Sequence, residues 1–394
     1  MQVPLLDLGA QLRPIREEVL AAVARVVDSQ NFVLGEEVQC LEEQLAAYCG
    51  ARYAVGCASG SDALLLALKA LGIGADDEVL TVPYTFFATA GAISLAGARP
   101  VFVDVEPETF NIDLGQAAEA TRTHPNLKAI LPVHLFGGCA DMEALHQIAG
   151  PRNLPVIEDA AQAIGAECRG KRAGGMGAIG CFSFYPTKNL AACGDAGLCT
   201  TNDETLVSRM RALRMHGRTA TYYHDWIGVN SRLDAMQAAI LAVKLRYLDA
   251  WSEARVRHAE LYRKLFAEYQ VPVIPPRPAA HQTRHIYHQF VIRCPHDRDS
   301  LQKYLQQNGV GAAVYYPLSL HQQPCFAHLG YRAGAFPVSE ELARTTLALP
   351  IYPELSAAEI EYVGLRRFTL SETPATIKKS AWRRVGWTGP RPRR

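Results

Sequence analysis

The sequence predicts an α/β protein, with a large domain built on a mainly parallel seven-stranded sheet between helices and a smaller C-terminal α+β domain. Three observations carry this reading. Seven short apolar or β-branched runs recur through about residue 201, and segments of helical character separate the first five of them. A proline-rich stretch, VPVIPPRPAA, then precedes a second set of short elements. A chain of 394 residues also exceeds what a single core usually serves.

The strand candidates in order are YAVGCAS (53–59), EVLTV (78–82), PVFVDV (100–105), AILPVHL (129–135), PVIEDA (155–160), CFSFY (181–185) and GLCTT (197–201). Between the first five lie segments such as SDALLLALKALG, ATAGAISLAG and ADMEALHQIAG, each closing on a glycine as helices often do. Strands alternating with helices imply parallel pairing through right-handed crossovers. No helix separates the last two runs, so they are expected to form an antiparallel or irregular pair.

From 231 to 269, apolar residues recur every three or four positions, which predicts one helix or two leaving the sheet. Beyond the proline-rich stretch, IYHQFVIRC reads as strand, RDSLQKYLQQNG as helix and VGAAVYYP as strand. The expected division is 1–249 for the large domain with an N-terminal arm, 250–370 for the small domain and 371–394 for a tail. That tail holds seven basic residues against Glu372 and is expected to be disordered and solvated.

Composition narrows the class. With 49% hydrophobic and 20% charged residues and a net charge of +1, the chain reads as an ordinary soluble globular protein. No nucleic-acid or membrane partner is expected. The start lacks a basic stretch followed by an apolar core, and no segment approaches a membrane span, so a cytoplasmic location is expected. The ten cysteines show no CxxC pair and no zinc-like spacing with histidine, which predicts buried thiols, no disulfide framework and no metal.

In a sheet of this kind, ligands bind outside the carboxyl ends of the strands. After the first run come Gly60, Ser61 and Asp62 at a helix start, where free N–H groups and the positive dipole end suit a phosphate or, more simply, a helix cap. After the second come Phe86 and Phe87, and after the fifth Asp159, with Gln162 one turn on. The sixth supplies Ser183 and, in the tight connection beyond it, a lone Lys188. An ammonium among buried strands without a partner is costly and readily gives up its proton. Together these are the parts that pyridoxal phosphate (PLP) chemistry asks for: an amine for the aldehyde, donors for the phosphate, an anion for the pyridine nitrogen and a flat apolar partner for the ring.

The stretches ASGSDALLLALKALGIG…YTFFAT, LPVIEDAAQAIGA, CFSFYPTKNLAACGDAGLCTTND and VNSRLDAMQAAIL, in this order, resemble the DegT/DnrJ/EryC1/StrS sugar aminotransferases of the aspartate aminotransferase fold, fold type I. The likeness runs from about residue 3 to residue 366. It implies that Lys188 forms the internal aldimine and transfers protons, that Asp159 pairs with the pyridinium nitrogen, that Gln162 lies near the ring O3′ and that Phe86 stacks on the ring. Gly60, Ser61, Asp62 and Ser183 would cup the phosphate, and Asn230 would reach the phosphate of the neighbouring subunit, making a homodimer with shared sites. Two departures stand out: Ser61 where the family usually has threonine, and Ala196 where it usually has a second glycine.

The reaction implied is a two-stage amino transfer. Glutamate or glutamine would convert the cofactor to pyridoxamine phosphate, and a keto group on a nucleotide-linked hexose would then take the nitrogen. Tyr316 and His321, in YYPLSLHQQP, are candidate walls of the sugar pocket, with core packing as the alternative for each; His216, Tyr223 and Arg232 are candidates for lining the neighbouring subunit's pocket. A dehydratase or lyase on the same cofactor, or a non-catalytic regulatory member, are the rival readings. Some relatives become dehydratases by replacing the lysine with histidine, and the presence of Lys188 argues against that branch.

Overall fold

The computed structural model describes residues 1–365, so the basic stretch 371–394 lies outside the described residues. All seven expected runs of the large domain form strands: β1 (Tyr53–Cys57), β2 (Glu78–Thr81), β3 (Arg99–Phe102), β4 (Leu127–Ile130), β5 (Ile157–Asp159), β6 (Ile179–Ser183) and β7 (Gly197–Thr201). They pair as a four-stranded sheet in the order β1-β7-β6-β5 and a three-stranded sheet in the order β3-β2-β4. Two single parallel bridges, Ile130 to Val156 and Val133 to Asp159, bring the chain of β4 alongside that of β5, so the two pieces meet edge to edge. β2 runs parallel to β3 and β4, and β5 parallel to β6. β7 is antiparallel to both β1 and β6, as a connection without a crossover helix requires.

The crossover helices start where their sequences place a cap. Ser59, Asp113 and Asp141 accept hydrogen bonds from Asp62 N, Gln116 N and Ala144 N at the starts of helices Gly60–Ala70, Leu114–Thr123 and Met142–Ala149. Helix Gly60–Ala70 buries Ala63, Leu64, Leu66, Ala67, Leu68 and Ala70, so it is apolar nearly all round and lies under the sheet. Each of its buried leucines contributes about 2 kcal/mol. That packing fixes where the helix N-terminus points, which matters for the site.

The segment 231–269 resolves into two helices, Ala235–Leu245 and Leu248–Glu268. The second runs from one core to the other. Leu248 packs with the sheet residues, whereas Tyr262 and Phe266 pack with Val3, Phe290, Leu301 and Leu347. In the smaller core, β8 (Phe290–Arg293) pairs antiparallel with β9 (Thr346–Leu349) beside helices Arg298–Gln307 and Ala357–Leu365.

Two expectations change here. The stretch 310–317 makes only single bridges, Val3 to Val310 and Ala313 to Ala348, because the chain leaves the pair to cross to the larger core; the Tyr315 carbonyl accepts from the Tyr84 hydroxyl at 2.6 Å. The N-terminal arm also begins on the smaller core: Val3 N donates to Gly309 O at 2.8 Å. Seven of the ten cysteines are buried, and Cys40, Cys193 and Cys325 are exposed. Among the described residues no group of His, Cys, Asp and Glu is placed to hold a metal, and no helix is long and apolar enough to cross a membrane.

Candidate active site

β5 ends on Asp159, which is only 5% exposed. Its Oδ2 accepts from the Thr89 hydroxyl at 2.7 Å, and its Oδ1 from Ala161 N at 3.2 Å. Burial raises its pKa above the ordinary carboxylate value, although Thr89, Ala161 and the charge of Lys188 pull the other way. It is a carboxylate short of a cation. Lys188 follows β6 in a turn in which its N–H donates to Tyr185 O at 2.8 Å. Its amine makes no hydrogen bond or ion pair among the described residues. Burial pulls that amine down to about 8, and the charge of Asp159 limits the fall. An appreciable fraction is therefore unprotonated at neutral pH.

Gln162 is held at both ends: Phe136 N donates to its Oε1 at 2.9 Å, and its Nε2 donates to the Tyr316 hydroxyl at 3.0 Å. Tyr316 thus reaches the site through Gln162, and its ring centroid lies 6.1 Å from that of Phe86. Phe86 is 56% exposed, a large apolar ring left open, and its carbonyl accepts from the N–H of Thr89, whose hydroxyl holds Asp159. Phe87 turns away to Phe326, with ring centroids 5.6 Å apart.

At the helix start the structure refines the expected cup. Ser59, not Ser61 or Asp62, is the cap, and its Oγ takes the N–H of Asp62 at 3.1 Å. The Asp62 carboxylate accepts from Ser231 Oγ at 2.8 Å. The N–H groups of Gly60 and Ser61 remain for an anion. Gly60 is required by a close approach: a Cβ there would lie 2.5 Å from Cβ of Ser183. Gly197 does the same from β7, since a Cβ on it would stand 2.2 Å from Ser59 O. These two glycines bring the helix N-terminus against the end of β6, with the Ser183 hydroxyl beside it.

Other candidates fall elsewhere. His321 is 3% exposed; its Nε2 bonds Glu340 Oε1 at 3.0 Å and its ring packs on Phe336. It is a core histidine here and does not line the pocket, because the segment after Tyr316 folds onto the aromatic cluster of Phe102, Phe326 and Phe336. Asn230 and Tyr223 are exposed, Arg232 is half-buried, and no interaction joins them or His216 to the Lys188 group within this chain. Thr89 was not singled out from the sequence. Its signal was a hydroxyl in the largely apolar run ATAGAISL, placed three residues after Phe86.

The donor set fits PLP. Two free helix N–H groups with a hydroxyl beside them suit its phosphate, the cation-poor carboxylate suits a protonated ring nitrogen, the open ring of Phe86 suits its face, and the unpaired amine suits its aldehyde. A buried acid and a lysine of lowered basicity at the carboxyl edge of this sheet match what a PLP enzyme of this fold needs.

Comparison with known proteins agrees. Residues 13–366 match the model of the DegT/DnrJ/EryC1/StrS aminotransferase family, and the chain belongs to that family. It is 48% identical over 363 residues to a Geobacillus stearothermophilus protein called pleiotropic regulatory protein, covering 92% of this chain and 97% of that one. It is 44% identical over 365 residues to the UDP-N-acetyl-3-dehydro-alpha-D-glucosamine 3-aminotransferase of Acidithiobacillus ferrooxidans, covering 92% and 96%. Among solved structures, DesV of S. venezuelae in complex with a ketimine intermediate superposes with a TM-score of 0.90 at 40% identity, covering 94% of this chain and all of that one.

Proposed function

We propose that this protein moves an amino group from glutamate or glutamine to the keto group of a nucleotide-linked hexose, with PLP as its cofactor. The observation that carries the reading is the pairing of an unpartnered amine on Lys188, lowered to about 8, with the buried carboxylate of Asp159. Aminotransferase relatives such as the Acidithiobacillus enzyme support the substrate class. The intact Lys188 and Asp159 weigh against the purely regulatory role suggested by the name of the Geobacillus relative.

When bound, PLP supplies an aldehyde for amines and an electron sink for the carbon that loses its proton. The chain's own residues do the rest. Asp159, held by Thr89 and Ala161, keeps the proton on the ring nitrogen in place. Phe86 would shield one face of the ring, and Gln162, oriented by Phe136 N and Tyr316, would offer its remaining amide hydrogen to the ring oxygen. Gly60, Ser61 and Ser183 would hold the phosphate. Lys188 Nζ takes a proton from one carbon and returns it at another, a task suited to an amine whose pKa lies near the working pH. Tyr316 stands as the wall toward the sugar.

The active form in this reading is a homodimer in which Asn230 reaches the partner's phosphate. It is supported by the exposure of Asn230 close to Tyr222 and Ile227, each 90% exposed, where apolar side chains call for a cover. The test is a panel of C3- and C4-keto sugars on UDP, GDP and dTDP, each incubated with glutamate or glutamine and read by mass spectrometry. Amino sugar formed in step with the donor's keto acid is the expected result. No transfer with any sugar, or undiminished transfer by Lys188→Ala, overturns the proposal.

A further inference from the structure

The residue after Lys188 is committed to a contact that none of the roles above uses. Asn189 is buried, and its Nδ2 donates to Ile286 O at 3.3 Å, which leaves Oδ1 to face Nδ1 of His288 at 3.0 Å. An amide oxygen only accepts, so the buried imidazole carries its proton on Nδ1 and keeps a lone pair on Nε2. Residues 286–288 lie just ahead of β8 where the two cores meet, Ile286 packing in the larger and Tyr287 in the smaller. They are pinned from two further sides. Ile286 N donates to Gly137 O at 3.0 Å, and Arg255 Nη1 donates to the carbonyls of Tyr287 at 3.3 Å, His288 at 3.4 Å and Ile351.

Gly137, at φ +99°, permits the approach: a Cβ there would lie 2.9 Å from His288 N and 3.0 Å from Tyr287 N. The residue before it, Phe136, holds Gln162. A circuit of contacts therefore runs from the Lys188 turn through Asn189, His288 and Gly137 to Gln162, and it passes where the two cores meet.

We propose that Asn189 and His288 are positioning residues for Lys188, tying the lysine's turn to the segment where the two cores meet and keeping water from its amine. The proposal rests on the reading of Lys188 as the reactive amine. The groups that interact electrostatically with that amine are Asp159 from β5 and His288, and Arg255 acts on His288 in turn. His288 is kept neutral, because burial and the positive charges of Lys188 and Arg255 hold its pKa well below the ordinary imidazole value. It therefore excludes water without adding a second cation. A hydrated or charged group in its place would change the lysine's basicity.

The experiment uses the purified full-length chain, treated with hydroxylamine to release any carbonyl bound to lysine. The reactivity of Lys188 toward trace acetic anhydride is followed from about pH 6 to 11 by mass spectrometry of its peptide, a range that spans the free amine's titration. The wild-type midpoint is expected near 8. Asn189→Ala and His288→Ala should raise it by about one unit as water enters, leaving roughly tenfold less free amine at neutral pH.

His288→Asn, which retains an N–H for Asn189, should move the midpoint back toward the wild-type value; a purely structural role would not be read out in this way. His288→Gln keeps much of the volume without the Nδ1 donor position. It stands in for the alanine variants if circular dichroism shows those unfolded, and the same upward shift is expected. Unmoved midpoints in folded Asn189 and His288 variants overturn the proposal. The titration needs no cofactor, so the two readings fail separately. Absence of sugar amination together with the predicted shifts sinks the aminotransferase reading alone, and amination together with unmoved midpoints sinks only the positioning role.

Discussion

Replacing Glu158 by Gln tests how the site's acid is held in place. Glu158 precedes Asp159 on β5, so its side chain points to the opposite face of the strand. It is fully buried and accepts four hydrogen bonds: from Gly174 N at 2.7 Å and His134 Nε2 at 3.0 Å on one oxygen, and from Met176 N at 2.8 Å and Gly177 N at 2.5 Å on the other. Ala140 N donates to His134 Nδ1 at 3.1 Å, which places the histidine's proton on Nε2.

An amide in place of the carboxylate turns one oxygen into a donor, so in either orientation two of the four donors lose their acceptor. Hydrogen bonds to a charged group contribute about 1.5–3 kcal/mol each, so losing two in Glu158→Gln should cost about 3–6 kcal/mol. That is a large fraction of a typical total of roughly 5–15 kcal/mol. Urea unfolding followed by tryptophan fluorescence, with both proteins at one concentration, measures it. A loss below about 1 kcal/mol would refute the account of this network.

The sign with pH follows from the same contacts. Burial opposes ionisation of Glu158, but His134 and the N–H groups of Gly174 and Gly177 outweigh it, and the pKa lies below the ordinary value of 4.5. Its stabilisation is therefore present above that value and lost as pH falls through the lowered one. The wild type should lose stability on acidification more steeply than the glutamine variant.

Four further outcomes are expected. Thr89→Val removes the hydroxyl that donates to Asp159 and should weaken PLP binding about tenfold by equilibrium dialysis; an unchanged constant contradicts the role of Thr89. Gly60→Ala places a methyl 2.5 Å from Cβ of Ser183, so the variant should lose its cofactor on gel filtration, and wild-type retention of the PLP absorbance counts against the cup. Asp159→Asn removes the charge that supports the Lys188 ammonium, so the anhydride midpoint should fall below about 8, and a rise contradicts the assignment. Phe86→Ala should leave unfolding within about 0.5 kcal/mol of wild type, because the ring is 56% exposed, while lowering PLP affinity; equal affinity speaks against stacking.

Most of the larger sheet was readable from the chain because each strand is a short apolar run whose partners are set by local rules. An intervening helix forces a parallel crossover, and its absence after β6 makes β7 antiparallel. Lys188 and Asp159 were legible as site candidates only in combination: each alone has ordinary structural uses, but the strand order brings both to one edge of the sheet.

What only the tertiary structure decided were matters of competition between neighbours. Ser59 takes the cap that Ser61 and Asp62 also advertised, which leaves two N–H groups open. Glu340 and Phe336 claim His321 for the core, while Gln162 draws Tyr316 into the site. Residues 310–317 are apolar enough for a strand, yet the Tyr84 hydroxyl captures the Tyr315 carbonyl and pulls that chain across to the larger core. A residue's type states which bonds it can make. Which partner reaches it first depends on distances that packing alone sets.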